Sequence, residues 1–173
     1  MIWMQFHNRQ SNPKIAYLGV LAALAILFGY IETLIPFYFG IPGMKLGLAN
    51  IMTVIALYLF GSKEAFAISV VRILVVGFLF GNPYSIIYSL AGGVLSLLAM
   101  IAIKHLKCFS IVGVSIAGGV MHNIGQLLIA MLVVEELGLT FYAPFLIIAG
   151  AVTGLLIGLV AQIMNNRLKG VIT

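Results

Sequence analysis

Aspartate is missing from this 173-residue chain, and glutamate stands only at positions 32, 64, 135 and 136. A catalytic Mg²⁺ is usually held by several converging carboxylates, so the chain cannot build that cage. Its one cysteine, Cys108, excludes a disulfide within the chain and shows no metal-ligand spacing. No Gly-x-x-x-x-Gly-Lys-Ser/Thr phosphate loop occurs, and no nucleophile–base–orienter set is visible. The expectation is a non-enzyme with no metal and no cofactor.

Charge is scarce as well. Only 8% of residues are charged and 63% are hydrophobic, against about a quarter charged in a soluble domain. Nothing is left to build a solvated shell around a core. A membrane-spanning helix needs about 20 apolar residues to cross about 30 Å of hydrocarbon, and the chain divides into such stretches. The first lacks a small-x-small cleavage site and runs long for a signal peptide, so it reads as a retained helix.

The expected fold is an all-α integral membrane bundle of six transmembrane helices. They are placed at about Ile15–Ile35, Lys45–Phe60, Ala65–Phe80, Tyr84–Ile103, Ser110–Val134 and Phe141–Met164. The breaks between them are Gly40-Ile41-Pro42-Gly43, Gly61-Ser62-Lys63-Glu64, Gly81-Asn82-Pro83, Lys104-His105-Leu106-Lys107 and Glu135-Glu136-Leu137-Gly138. Residues 1–14 form an N-terminal segment, 15–166 the membrane domain and 167–173 a tail. Arg9, Lys14, Lys63, Lys104, Lys107, Arg167 and Lys169 all fall on the side of the termini, and Lys45 falls opposite. Lys and Arg accumulate in cytoplasmic loops, so both termini are expected in the cytoplasm of a bacterial cell. The net charge of +5 is then topology, with no nucleic-acid partner implied.

Aromatic residues gather at the expected outer surface: Phe37, Tyr38, Phe39, Phe78, Phe80, Tyr84, Phe141 and Tyr142. They serve either as interface anchors or as a screen around a pocket. Small residues recur at four-residue spacing, as Gly19 with Ala23, Ala25 with Gly29, and Gly150 with Gly154 and Gly158. Such faces let helices approach closely. Internal packing is favoured for the sixth helix, while the first is equally suited to docking another membrane protein.

Polar groups within spans mark function or tight internal pairing. Arg72 falls near the middle of the third span, where a charge costs about 2.5–3.5 kcal/mol on insertion scales. Either it pairs with Glu32 near the outer end of the first helix, or it contacts a ligand. His122 and Gln126 lie four apart on one helical face, with Asn123 beside them. They too have two readings, interhelical hydrogen bonding or ligand contact. Lys45 and Asn50 on the second helix, with Asn82, Ser85 and Tyr88 near the start of the fourth, complete the candidates. The inner halves of the helices hold almost no polar groups, which suggests a pocket opening outward.

Several motifs resemble a known family. They are Pro42-Gly43-Met44-Lys45-Leu46-Gly47-Leu48-Ala49-Asn50, Ser69-x-x-Arg72, Gly81-Asn82-Pro83-x-Ser85-x-x-Tyr88-Ser89-Leu90-x-Gly92-Gly93 and His122-Asn123-Ile124-Gly125-Gln126. Together they are similar to the Gx transporter family, often labelled heptaprenyl diphosphate synthase component I. That family is related to the S components of energy-coupling factor (ECF) transporters. The resemblance implies a six-helix fold that captures a small vitamin-like molecule from outside. It also implies a transmembrane coupling protein and two cytoplasmic ATPases as partners. The usual Ala-x-x-x-Ala docking motif of the first helix is replaced here by Gly19–Ala23 or Ala25–Gly29. The label itself implies a different role, as an accessory subunit of polyprenyl diphosphate or quinone biosynthesis. Prenyl synthases bind diphosphate through Asp-rich motifs, so a chain without Asp cannot carry that chemistry itself.

Overall fold

A computed structural model of the chain describes residues 13–35 and 47–172, and all regular elements among them are helical. They are α1 (Pro13–Leu34), α2 (Asn50–Leu59), α3 (Ser62–Phe80), α4 (Pro83–His105), α5 (Ile111–Val134), a 3₁₀ segment (Leu137–Tyr142) and α6 (Ala143–Ile172). α1, α4, α5 and the continuous run from the 3₁₀ segment into α6 are long and apolar enough to cross a membrane. The protein is a multi-pass membrane protein, with six α-helices among the described residues. α3 is 19 residues long, but it carries Lys63, Glu64 and Arg72.

The second helix is shorter than the sequence suggests. It was expected from about Lys45 and begins at Asn50, because Gly47 sits at φ +82°, a conformation that L side chains disfavour. Lys45 and the aromatics Phe37, Tyr38 and Phe39 lie outside the described residues. α2 has no exposed face through most of its length: every residue from Asn50 to Leu57 is buried. At about 1.5 Å per residue its ten residues span only half of the hydrocarbon core. Its last turn is held by Lys104 of α4, whose Nζ donates to the Leu57 carbonyl at 2.6 Å and lies 4.7 Å above the Tyr58 ring. A cation there also complements the negative end of the helix dipole.

Gly61 at φ +119° separates α2 from α3, which starts at Ser62 rather than Ala65. The start of α4 is fixed by its own sequence. The Asn82 side chain accepts from Ser85 N at 2.8 Å, the Ser85 hydroxyl accepts from Asn82 N, and Pro83 occupies the first turn. Ser110 caps α5 through the Gly113 amide.

α5 is the hub, packing extensively on α4 and α6, while α1 lies chiefly along α3. The glycines of α6 bear on α5. A Cβ at Gly150 would come 2.6 Å from the Gly119 carbonyl oxygen, and one at Gly154 would come 2.7 Å from Ile116 Cα. In lipid, where apolar burial alone does not drive helices together, such close backbone contact is a main source of cohesion. α6 also runs further than expected, past Met164 to Ile172. Nothing at Asn165-Asn166-Arg167 stops a helix, and Asn165 is buried, so the proposed 166/167 boundary is not a break in structure. The larger apolar core gathers Leu21, Ile55, Leu57, Ile68, Met100, Val114 and Ile157.

Candidate functional site

A polar cluster is buried where α1, α2, α3, α4 and α5 meet. Glu32, at the end of α1, accepts a hydrogen bond from the Gly47 amide and so ties α1 to the entry of α2. Asn50, in the first turn of α2, sits between two partners. Its Oδ1 accepts from Arg72 Nη2 at 3.3 Å, and its Nδ2 lies 3.4 Å from His122 Nδ1. Arginine can only donate, so the Asn50 oxygen must face Arg72 and the amide nitrogen must face His122. In that arrangement His122 Nδ1 accepts from the Asn50 amide. The three residues form a directed relay across α3, α2 and α5.

Glycines make room for this relay. A Cβ at Gly92 of α4 would come 2.9 Å from the His122 carbonyl and 3.0 Å from both Gln126 Cγ and His122 Cε1. One at Gly47 would lie 2.9 Å from Asn50 Nδ2 and 3.5 Å from His122 Nε2. The backbone at Gly47 and that of α4 thus lie directly against these side chains. Ser69, Ser85 and Ser89 are buried on the facing sides of α3 and α4.

Part of the cluster has no protein partner. Arg72 Nε and both amide atoms of Gln126 are buried without a hydrogen bond among the described residues, and Gln126 is only 1% exposed. An unmet buried polar group costs about 1–3 kcal/mol, so these atoms are expensive unless something fills their valence.

The structure divides the residues singled out from the sequence. Glu32, Asn50, Arg72, His122 and Gln126 belong to the buried cluster. Arg72 donates to Asn50 and also feels the charge of Glu32, while at the opposite end of α1 Lys14 pairs with Glu64 at 2.6 Å. Asn123 faces away from the cluster and donates to the Leu146 carbonyl of α6 at 2.9 Å. Asn82 caps α4. Tyr88 is buried in a separate apolar group with Leu127, Ala130 and Leu146.

The two small-residue pairs of α1 also part. Gly19 and Ala23 are exposed, and a Cβ at Gly19 would meet nothing within 4 Å. Ala25 and Gly29 are buried, with a Cβ at Gly29 coming 2.9 Å from Val76 of α3. Phe78, Phe80, Tyr84, Phe141 and Tyr142 are all exposed.

Sequence reasoning missed Ser96, Ser115 and Asn165, buried polar groups toward the end of the bundle that holds Pro13 and Ile172. That end is not the featureless hydrocarbon expected. The signal was present as spacing: Ser85, Ser89, Gly92, Ser96 and Met100 form one buried row along α4. Gly154, Gly158, Ala161 and Asn165 form another along α6.

The fold has a solved counterpart. A structure described as "Structure and mechanism of the S component of a bacterial ECF transporter" superposes with a TM-score of 0.66. That match covers 95% of this chain and 99% of the other at 20% sequence identity. No curated protein matches the sequence. The family model described as heptaprenyl diphosphate synthase component I matches residues 21–164. Spanning most of the chain from within α1 to the body of α6, that match shows that the protein belongs to the heptaprenyl diphosphate synthase component I family.

Proposed function

We propose that the chain is the substrate-binding membrane subunit of an ATP-driven uptake system in a bacterial cell membrane. The observation that carries this reading is the buried cluster of Arg72, Asn50, His122 and Gln126, in which Arg72 Nε and the Gln126 amide lack a hydrogen bond among the described residues, inside a fold shared with an ECF S component. A purely structural bundle in lipid would gain by replacing such groups with apolar ones. A binding protein retains them because the ligand completes them.

In this reading all six helices span, the termini are cytoplasmic, and the ligand enters from the Glu32–Gly47 end. Arg72, His122 and Gln126 form the floor, and Asn50 positions Arg72 and His122. Asn123 and Asn82 serve the scaffold. A transmembrane coupling protein and two cytoplasmic ATPases supply the energy. Gly19 and Ala23 offer the coupling protein a close-packing face, since they alone of the small pairs on α1 point outward.

The test is untargeted depletion of medium metabolites by cells with and without the chain, with prenyl synthase activity assayed on the same membranes. The expected result is one compound taken up only when the chain is present, with synthase activity unchanged. Loss of synthase activity without any uptake defect would overturn the proposal in favour of an accessory role in polyprenyl synthesis.

A further inference from the structure

The atoms left unfilled at the centre specify more than polarity. We infer that the ligand presents an amide-type edge, an N–H beside a C=O as in a carboxamide, lactam or imide, to Gln126. This inference rests on the substrate-binding reading above and deepens it.

The argument turns on what each buried atom requires. Arg72 Nε can only donate, so it calls for an acceptor. Gln126 brings both a donor and an acceptor, and both are unmet at 1% exposure. Exchanging the oxygen and nitrogen of that amide changes nothing, because one atom of each kind is present either way. A carboxylate, a diphosphate or a quinone offers acceptors alone. Each would satisfy Arg72 Nε and the Gln126 nitrogen and leave the Gln126 oxygen desolvated without a donor. An amide-type edge meets both Gln126 atoms at once, and a further acceptor on the same molecule meets Arg72.

The surroundings favour such a partner. Gly92 leaves the Gln126 stem without a side chain opposite, and a Cβ there would come 3.0 Å from Gln126 Cγ. The Gly125 backbone also packs directly against α4, with its Cβ position 2.8 Å from the Ala91 carbonyl. The stem of Gln126 therefore packs closely against the α4 backbone. Sites built to hydrogen-bond a particular group discriminate strongly against analogues lacking it, because their own buried groups are then left unpaired.

The test uses the full chain purified in detergent and four probes: 2-naphthamide, 2-naphthoate, menadione and farnesyl diphosphate. Binding is read by thermal shift and by saturation-transfer NMR. The expected result is that 2-naphthamide binds at least about tenfold tighter than 2-naphthoate, and that the preference disappears in Gln126→Met and Gln126→Glu. Gln126→Glu keeps the side chain's shape, so the comparison survives even if Gln126→Met fails to fold. Stronger binding of 2-naphthoate, menadione or farnesyl diphosphate would overturn the amide edge while leaving a substrate-binding subunit in place. A preference that persists in both variants would overturn the assignment to Gln126. Binding of none of the four at millimolar concentration would overturn the inference outright and leave the cluster to water, whereas the uptake experiment judges the transport reading separately.

Discussion

Asn123 and Gln126 are three residues apart on one helix and both are buried amides, yet they should respond oppositely to substitution. Asn123 has found its partner in the Leu146 carbonyl of α6. Asn123→Leu removes that interhelical bond and leaves a carbonyl acceptor in lipid-like surroundings, at a cost of about 1 kcal/mol. Among the described residues Gln126 has no hydrogen-bond partner to lose. Gln126→Met keeps the volume, removes two desolvated polar atoms and should leave thermal stability equal or higher, while abolishing uptake. Thermal unfolding in detergent of both variants, with uptake measured in parallel, checks the contrast. A Gln126→Met protein that melts well below the wild type would make that residue structural. Sequence spacing alone put His122 and Gln126 on one face correctly. It grouped Asn123 with them because adjacency along the chain looks like adjacency in space. One residue turns a helix by about 100°, enough to carry Asn123 from the cluster onto α6. Asn50 is the converse case. Its place between Arg72 and His122 depends on the entry to α2, where Gly47 turns at positive φ, and no periodicity reports that.

The elements differ in how much of them local sequence decides. α4 announces its start through Asn82, Pro83 and Ser85, and α5 through Ser110. α2 could not be delimited that way, since a wholly buried helix shows no polar face against which to read a period. The seam between α5 and α6 was legible as small residues at four-residue spacing, and its energetics can be tested. Gly154→Ala would gain about 1 kcal/mol of helix propensity. It would also force a Cβ to within 2.7 Å of the Ile116 Cα and the Ser115 carbonyl, both backbone atoms that cannot move aside. Overpacking of this kind costs about 1–3 kcal/mol, so the variant should melt lower than the wild type. Gly19→Leu is the matched comparison on α1. Nothing lies within 4 Å of the Cβ position there, so thermal stability should hold while uptake falls, if the coupling protein seats on that face. Unimpaired uptake by Gly19→Leu would remove Gly19 and Ala23 from the docking surface.

At the scale of the whole molecule, the distribution of basic residues makes a claim about sidedness that one native residue can test. Cys108 is the chain's single cysteine, it is exposed, and it lies in the short connection between α4 and α5. Lys104 and Lys107 shortly precede it, so the charge rule places that connection in the cytoplasm. A membrane-impermeant maleimide should therefore leave Cys108 unlabelled in intact cells and label it fully once the membrane is opened. No cysteine has to be engineered, so the result is not open to the objection that a mutation moved the loop. The outcome also bears on the helices that composition leaves ambiguous. Cys108 shares a side with Lys14 and Lys63 only if the chain crosses out and back between Lys14 and Lys63 and again between Lys63 and Cys108. Labelling from outside would mean either that α2 or α3 fails to span, which splits the basic residues between the two surfaces, or that the whole bundle is inverted. Inversion would place the Glu32–Gly47 end of the polar cluster on the cytoplasmic side, reversing the route by which a ligand reaches Arg72 and Gln126. Protection in intact cells would leave that end facing outward, where a molecule taken up from the medium must first arrive.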